Sequence, residues 1–499
     1  MTLSEPPKHD LRSSLAPLLP LDIKFHIFHI STPPCKTDAL CSAPPKQRPD
    51  RTYCEKHFLA VAIDEPQGGQ ISATEAPSTR RKLLVLGIEI LLYTTAYSTT
   101  LFVAKADSTG CLDVLKLPQG TPSPIRGICT AFLQFLVDRR RRKGVQFVVN
   151  LFARSQAQYL FPGSVESSGK HILDDRQLVK WWAKVLSPLL ESTASWRSAR
   201  GYLVIPGLEA SETRAFIPSA TRNVWTLGDP LRSLSRFSSD NSNELPPRCL
   251  IPQFPDDPKC RFRNELDEEA AGSGALQKRG KWKSVPTLEM FWEMMAFRQE
   301  CSSGRLTGFI WLVLEEQTVA NDSAALMNDP TNRSTRTEGS HPKSASSKPL
   351  AETNVNTKLE LKAKRGKKND KQKSRLKGRI IPRQPKIKTK VRNYSLDIPT
   401  STPYYSWPLE GRGDKIVDDA DYKRTIELLL HLDFATLEKA ANSSKRWLEE
   451  TEMWDADAYS VIGKLETPTS ATLQANEPSK IINNLSGLVK RKRPDPVKG

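Results

Sequence analysis

The chain has 499 residues, with 74 Lys and Arg against 56 Asp and Glu, a formal net charge of +18, and 38% hydrophobic content. That apolar share is low for a wholly globular chain, so part of it is expected not to fold, and length alone allows roughly three domains. Sixteen Lys and Arg against Glu360 and Asp370 fall within 358–392; the remainder is close to neutral, which excludes a generally basic surface as the defining feature.

Eight cysteines show no CxxC pair and no His-bearing zinc spacing, the pattern of reduced thiols in a cytosolic or nuclear protein with no metal site. Glu5, Lys8, Asp10 and several prolines precede any apolar run, unlike a secretory signal. In chain order, 13–30 reads as a short helix leading into an edge strand, 33–50 as a proline-bearing loop and 57–63 as a strand. The stretch 83–104 has the length of a membrane span. Gly87, Glu89 and five Ser or Thr within it suit two buried strands of a hairpin better. Lys105-Ala-Asp-Ser-Thr-Gly110 follows as a strand end and turn, where α/β proteins set their chemistry.

Ser123-Pro-Ile-Arg126 opens a helix to about residue 142, with Ile128, Phe132, Phe135 and Leu136 at helical spacing and basic residues 139–143 at its end, where the helix dipole favours cations. A buried strand is expected at 145–152, a helix carrying Trp181 and Trp182 to about 190, and a short strand at 201–205. A helix should begin at 263–269, an aromatic-rich one span 287–299, and a strand 308–314. Residues 317–403 turn to Ser, Thr, Asn, Lys and Pro and read as a disordered basic insertion. Order should return over 404–455 as two amphipathic helices that pack on the main domain, 1–316. The tail, 456–499, is expected to be disordered, with a basic cluster at Lys490-Arg-Lys-Arg493 suited to nuclear import.

The stretch with the most chemical content is 251–262, IPQFPDDPKCRF. Pro255 and Pro258 fix their own φ and restrict the residues before them, so a stiff, extended loop is expected, anchored by Ile251, Phe254 and Phe262. It holds Asp256 and Asp257 side by side, and adjacent carboxylates can raise one pKa toward that of a useful base. The residues alone favour a solvated Pro-Asp turn closing over a helix N-terminus.

Six motifs occur in one order: FVAKADSTG (102–110), QYLFP (158–162), KHIL (170–173) with WW (181–182), Trp225 with Gly228-Asp229, FPDDPKCRF (254–262) and FWEMMAFRQE (291–300). In these the chain resembles the fungal histone acetyltransferases of the regulator-of-Ty-transposition type, whose fold is similar to that of the CREB-binding-protein acetyltransferases. The resemblance implies an α/β fold with a central mixed β-sheet flanked by helices, and a long loop closing over acetyl-CoA. It implies acetylation of newly made histone H3 (with H4), above all at a core-domain lysine and more weakly at tail lysines. Nuclear action with acidic histone chaperones is implied too. A helical insertion found in other members after the 125–142 helix is reduced here to the 139–143 turn.

Asp257 is the aspartate the resemblance assigns as base or lysine-positioning group, with Asp256 holding the loop and Lys259 the autoacetylated lysine. Tyr159 and Trp225 offer aromatic walls for the acceptor lysine; from the residues alone, Trp225 fits a buried plug as well as a wall. For acetyl-CoA, Ala106, Asp107 and Ser108 would line the acetyl arm, Asp107 also counting with the catalytic group. Arg126 at a helix N-terminus and the pair Lys170 and His171 would meet phosphates. Phe152, Gln156, Gln158, Tyr159, Ile172, Leu173 and Trp181 would line the remainder. The run 358–392 suits docking to an acidic chaperone, weak nucleic-acid binding by counterion release, or a solvated import signal. The rival is a non-enzymatic chromatin protein acting through that run, and no membrane partner is expected.

Overall fold

The structure is a computed structural model and describes residues 10–66, 80–191, 196–239, 245–272, 281–302, 304–316, 398–453 and 455–466. Its centre is a mixed eleven-stranded sheet: β1 Lys24–Ser31, β2 Cys35–Thr37, β3 Thr52–Asp64, β4 Lys82–Thr94, β5 Ser98–Ser108, β6 Gln146–Ala153, β7 Ser198–Val204, β8 Trp225–Leu227, β9 Gly308–Glu315, β10 Lys415–Ile416 and β11 Ser460–Ile462. The main path runs β10-β1-β3-β4-β5-β6-β9-β7-β8, with β2 added to β3 and β11 to β1. The helices are α1 Leu11–Leu15, α2 Pro124–Arg140, α3 Asp175–Glu191, α4 Ala210–Arg214, α5 Leu231–Leu234, α6 Pro258–Gly272, α7 Leu288–Ala296, α8 Asp419–Leu430 and α9 Leu437–Glu450.

The apolar run at 83–104 is a β-hairpin, β4 against β5, and twelve of the thirteen residues of β4 are buried. A strand covered on both faces has no reason to alternate, which is why it reads like a membrane span. Among the described residues no helix is long and apolar enough to cross a membrane. The helix at 124–140 starts as its sequence dictates. Pro124 occupies the first turn and the Ser123 hydroxyl accepts from Arg126 N at 3.4 Å, since proline lacks the N–H that a first turn cannot satisfy.

Several placements differ from expectation. β1 is no edge strand, because β10 and β11 from the far end of the chain pair with it opposite β3. Of the tail expected at 456–499, residues 456–466 are accordingly ordered and 467–499 lie outside the described residues. The 33–50 loop contains β2, and the strand expected at 57–63 runs the full length of β3. β9 enters antiparallel between β6 and β7, a long-range pairing that no local pattern encodes. Of the expected insertion 317–403, 317–397 lie outside the described residues, and 398–403 are ordered, with a bridge between Ser401 and Ser406.

The basic end of α2 is folded into the protein. Arg140 donates to Glu55 Oε2 at 2.9 Å, to Glu55 Oε1 at 2.5 Å and to the Gly411 carbonyl at 2.7 Å. Any side chain at 411 would collide with that guanidinium. Arg141 pairs with Glu316 and lies over Trp196, and Arg142 donates to the carbonyls of Ser98 and Tyr404. Glu316 precedes the long insertion and Tyr404 follows it, so neighbouring arginines hold both ends. His29 and His57 complete the buried cluster, with Nε2 of His29 2.9 Å from Nδ1 of His57, and Nε2 of His57 3.0 Å from Glu55.

Burial lowers the pKa of both His29 and His57, while Glu55 is brought down to about 2 by Arg140 and His57 against the upward push of its own burial. The Arg140→Ala variant leaves Glu55 buried without its cation and should cost about 3–5 kcal/mol in denaturant unfolding. As pH falls below the ordinary histidine value of 6.5, the unfolded chain takes up protons that folded His29 and His57 refuse. Stability should therefore drop from there downward, by up to about 1.4 kcal/mol per pH unit for each histidine. A urea titration series from pH 7.5 to 5 checks the direction.

Candidate active site

The proline-framed stretch is a tight turn followed at once by a helix. Asp256 adopts a left-handed backbone conformation, φ 57°, a region an aspartate tolerates better than most residues. α6 begins at Pro258, five residues earlier than expected. Asp257 sits at its N-cap, with Oδ1 accepting from Lys259 N at 3.1 Å and its carbonyl from Cys260 N at 3.0 Å. Of the solvated-turn reading, the helix-terminus geometry holds, and the solvation holds for Asp256 but not for Asp257. Asp257 and Lys259 are both fully buried, their side chains joined by an ion pair.

The Lys259 ammonium also lies 5.4 Å from the ring centroid of Phe254, 5.2 Å from Phe309 and 5.8 Å from Trp311. A cation removed from water is stabilised by such ring faces. Burial raises the Asp257 carboxyl above the usual carboxylate value and Lys259 opposes the rise. Phe254 itself stacks on Phe102 of β5 at 4.3 Å and 6°, which fixes the turn against the sheet.

Asp256, in contrast, is exposed, and the Tyr159 hydroxyl donates to its Oδ2 at 3.2 Å. Burial and the Asp256 carboxylate raise the Tyr159 phenol, so it remains a neutral donor at physiological pH. Tyr159 is held by Asp107, whose Oδ2 accepts from the backbone N–H of Tyr159 at 2.7 Å, Leu160 at 2.9 Å and Phe161 at 3.4 Å. Its Oδ1 accepts from Ser108 N and from Lys170 Nζ, the latter at 2.9 Å. Gly87 beneath leaves the room: a Cβ there would lie 3.1 Å from Leu160 and Phe161.

The expected cofactor residues divide. Lys170 is held between Asp107 and Ser164 in a largely buried pair, a geometry that ties down the 158–170 loop instead of presenting a free cation. Gln158 accepts from Gly163 N at 2.9 Å and does the same. Gln156, His171 and Ile172 are exposed; Phe152, Leu173 and Trp181 are half-buried; Ala106 packs against the core. Arg126 lies in the first turn of α2. Trp225 is only 7% exposed, stacks over Gly201 where no Cβ intervenes, and has an indole N–H without a partner among the described residues. The plug geometry describes it better than an open wall.

Sequence reasoning missed three supports. Glu89 and Lys105 pair at 2.6 Å across β4 and β5, with the ammonium 6.0 Å from the Tyr159 ring. Asp175 joins Ser155 N at 2.7 Å to Arg305 and Leu306 N. The segment before α9 braces QYLFP, with Phe434 N donating to Pro162 O at 2.8 Å and its ring 4.9 Å from Phe161. A glutamate inside an apolar strand was the one visible signal among them, since a buried carboxylate needs a partner.

A family profile described as "Histone acetyltransferase KAT11-type domain" matches residues 11–146 and 143–450. The chain belongs to this family. It is a KAT11-type histone acetyltransferase. It is 37% identical to "Histone acetyltransferase rtt109" of Aspergillus flavus over 97% of this chain and 89% of the relative. It is 33% identical to the protein of that name from Schizosaccharomyces pombe over 47% of this chain and 58% of the relative. The crystal structure of Rtt109 from Aspergillus fumigatus superposes with a TM-score of 0.65 at 35% identity, covering 92% of this chain and 100% of that one. This KAT11-type chain therefore has an Rtt109-type fold, acts on histones and uses acetyl-CoA as co-substrate. The non-enzymatic reading falls with that membership, and the run 358–392 on which it leaned lies outside the described residues.

Replacing Asp107 with Ala removes the acceptor of four backbone N–H groups and one ammonium. We expect a loss of about 2 kcal/mol or more, faster proteolysis within 154–162, and a drop in acetyl transfer, read by limited digestion and CoA release.

Proposed function

We propose that the Asp256–Asp257 turn is where acetyl passes from acetyl-CoA to a lysine of newly made histone H3, presented with H4. A core-domain lysine is the main acceptor and tail lysines are secondary. The observation that carries this reading is a buried carboxylate, Asp257, one residue from an exposed carboxylate that hydrogen-bonds Tyr159. An amine with a free pKa near 10.4 must lose its proton, and holding it neutral near pH 7 costs about 4 kcal/mol. A carboxylate in a water-poor setting with an upward-shifted pKa is suited to accept that proton. Asp256 and the Tyr159 hydroxyl orient the incoming side chain, whose aliphatic stem the tyrosine ring covers. Trp225 backs the site from the core.

Lys259 occupies Asp257 in the unmodified chain. Its acetylation removes the cation, leaves an amide among the three rings and frees the carboxylate to act on substrate. For acetyl-CoA, the half-buried Phe152, Leu173 and Trp181, with Ala106 and Ser108 beside them, fit an apolar pantetheine arm. Gln156, His171, Ile172 and Arg126 serve the exposed remainder. Asp107, Lys170 and Gln158 contribute by fixing the Tyr159 loop.

Histones are basic and so is this chain, so an unassisted encounter is not steered by charge. An acidic histone chaperone resolves that conflict, with 358–392 as its docking strip and duplex DNA as a weaker ligand. The tail cluster 490–493 serves nuclear import, and the reaction supports replication-coupled chromatin assembly and genome stability.

Free CoA release with a histone–chaperone complex tests the chemistry. Asp257→Asn should lower turnover by about a hundredfold or more, and an unchanged rate would remove the carboxylate from the mechanism. Lys259→Arg should lower activity with the fold intact. Intact-mass spectra of the wild type showing no acetyl adduct, together with unchanged turnover of the variant, would count against autoacetylation.

A further inference from the structure

Beside the Phe254 turn lies a cleft of about 350 Å3, lined by Thr37, Asp38, Ala39, Leu40, Tyr93 and Gln253–Pro255, with Cys260 and Asn264 from α6. We propose that it is a second substrate pocket, taking a basic side chain of the histone that flanks the acceptor lysine. The proposal rests on the reading that transfer occurs beside Asp256, and it adds what selects the peptide around that lysine.

Three features argue for this occupant. Leu40, Tyr93, Phe254 and Cys260 make an apolar floor, with Tyr93 and Phe254 in contact at 5.7 Å between centroids; a guanidinium stem packs on such a surface and its planar head stacks on an aromatic face. The rim is polar and carries one formal charge, the exposed Asp38 carboxylate, which has no hydrogen bond or ion pair among the described residues. Gln253 donates its side-chain N–H to Asn264 Oδ1 at 3.0 Å and its backbone N–H to the Leu40 carbonyl at 2.8 Å, so the two walls are tied together and the Gln253 side-chain oxygen has no partner among the described residues. A negative, oxygen-rich rim over an aromatic floor favours an arginine over a phosphate or an acidic peptide.

Position gives the register. Pro255, in the wall, immediately precedes Asp256, and an extended peptide advances about 3.3 Å per residue. An acceptor lysine at Asp256 and Tyr159 therefore brings a neighbour roughly one to three residues away to the cleft.

The test uses the full chain and two synthetic acceptor peptides that differ only in one flanking arginine replaced by alanine. Peptide Kd is measured by calorimetry, and KM and kcat by CoA release. Wild type should favour the arginine peptide by about fivefold or more in Kd and KM, the value of a charge-assisted hydrogen bond at a partly wet rim. Asp38→Asn should bring that ratio close to one, Asp38→Glu should preserve most of it, and added salt should shrink it in the wild type. kcat and the KM for acetyl-CoA should stay unchanged, since Asp38 belongs neither to the transfer group nor to the acetyl-CoA residues. Equal peptide ratios in wild type and Asp38→Asn, or a shift confined to acetyl-CoA, would overturn the pocket assignment. Undiminished turnover in Asp257→Asn would sink the transfer site instead, while the binding ratio continues to report on Asp38.

Discussion

A carboxylate and an ammonium are joined where water does not reach, and the candidate site is built to make that arrangement tolerable. Two isolated buried charges would cost several kcal/mol each. Here Asp257 also caps α6, and the Lys259 ammonium faces three aromatic rings contributed by the turn and by β9. Two of those rings, Phe309 and Trp311, are there because β9 pairs between β6 and β7. The chemistry therefore depends on a strand more than forty residues downstream of the aspartate it supports.

A similar logic holds the rest together. The far C-terminal part of the chain is structural: β10 and β11 close the β1 edge, α9 reaches β4 through the Ser444 hydroxyl, which accepts from Leu84 N at 2.9 Å, and Phe434 braces the Tyr159 loop. Arg140, Arg141 and Arg142 fasten the segments on either side of the long insertion to the end of α2. A charge run of this kind looks solvated in a sequence; here each guanidinium of the three has a carboxylate or carbonyl to meet.

Legibility in the sequence followed the range of the interactions. The β4–β5 hairpin and α2 with its Ser123–Pro124 start were readable because periodicity, caps and prolines act within a few residues. The PDDPK turn was visible as chemistry, although its backbone was misjudged: proline restriction argued for extension, while Pro258 at a helix's first position starts α6. Asp107 and Lys170 were visible as chemistry-bearing residues and proved to hold one another and the Tyr159 loop, a pairing across sixty-three residues. The Glu55–Arg140–His29–His57 cluster had no local signature at all.

The sequence by itself determined which residue types were available and, through six motifs in one order, which reaction they serve. Only the tertiary structure decided which carboxylate is dry and which is wet. Asp256 and Asp257 are chemically identical neighbours, and a left-handed turn residue sends one to solvent beside Tyr159 and the other into a fully buried ion pair with Lys259. Ionisation follows local dielectric and partners, and those are set by packing between segments distant in the chain.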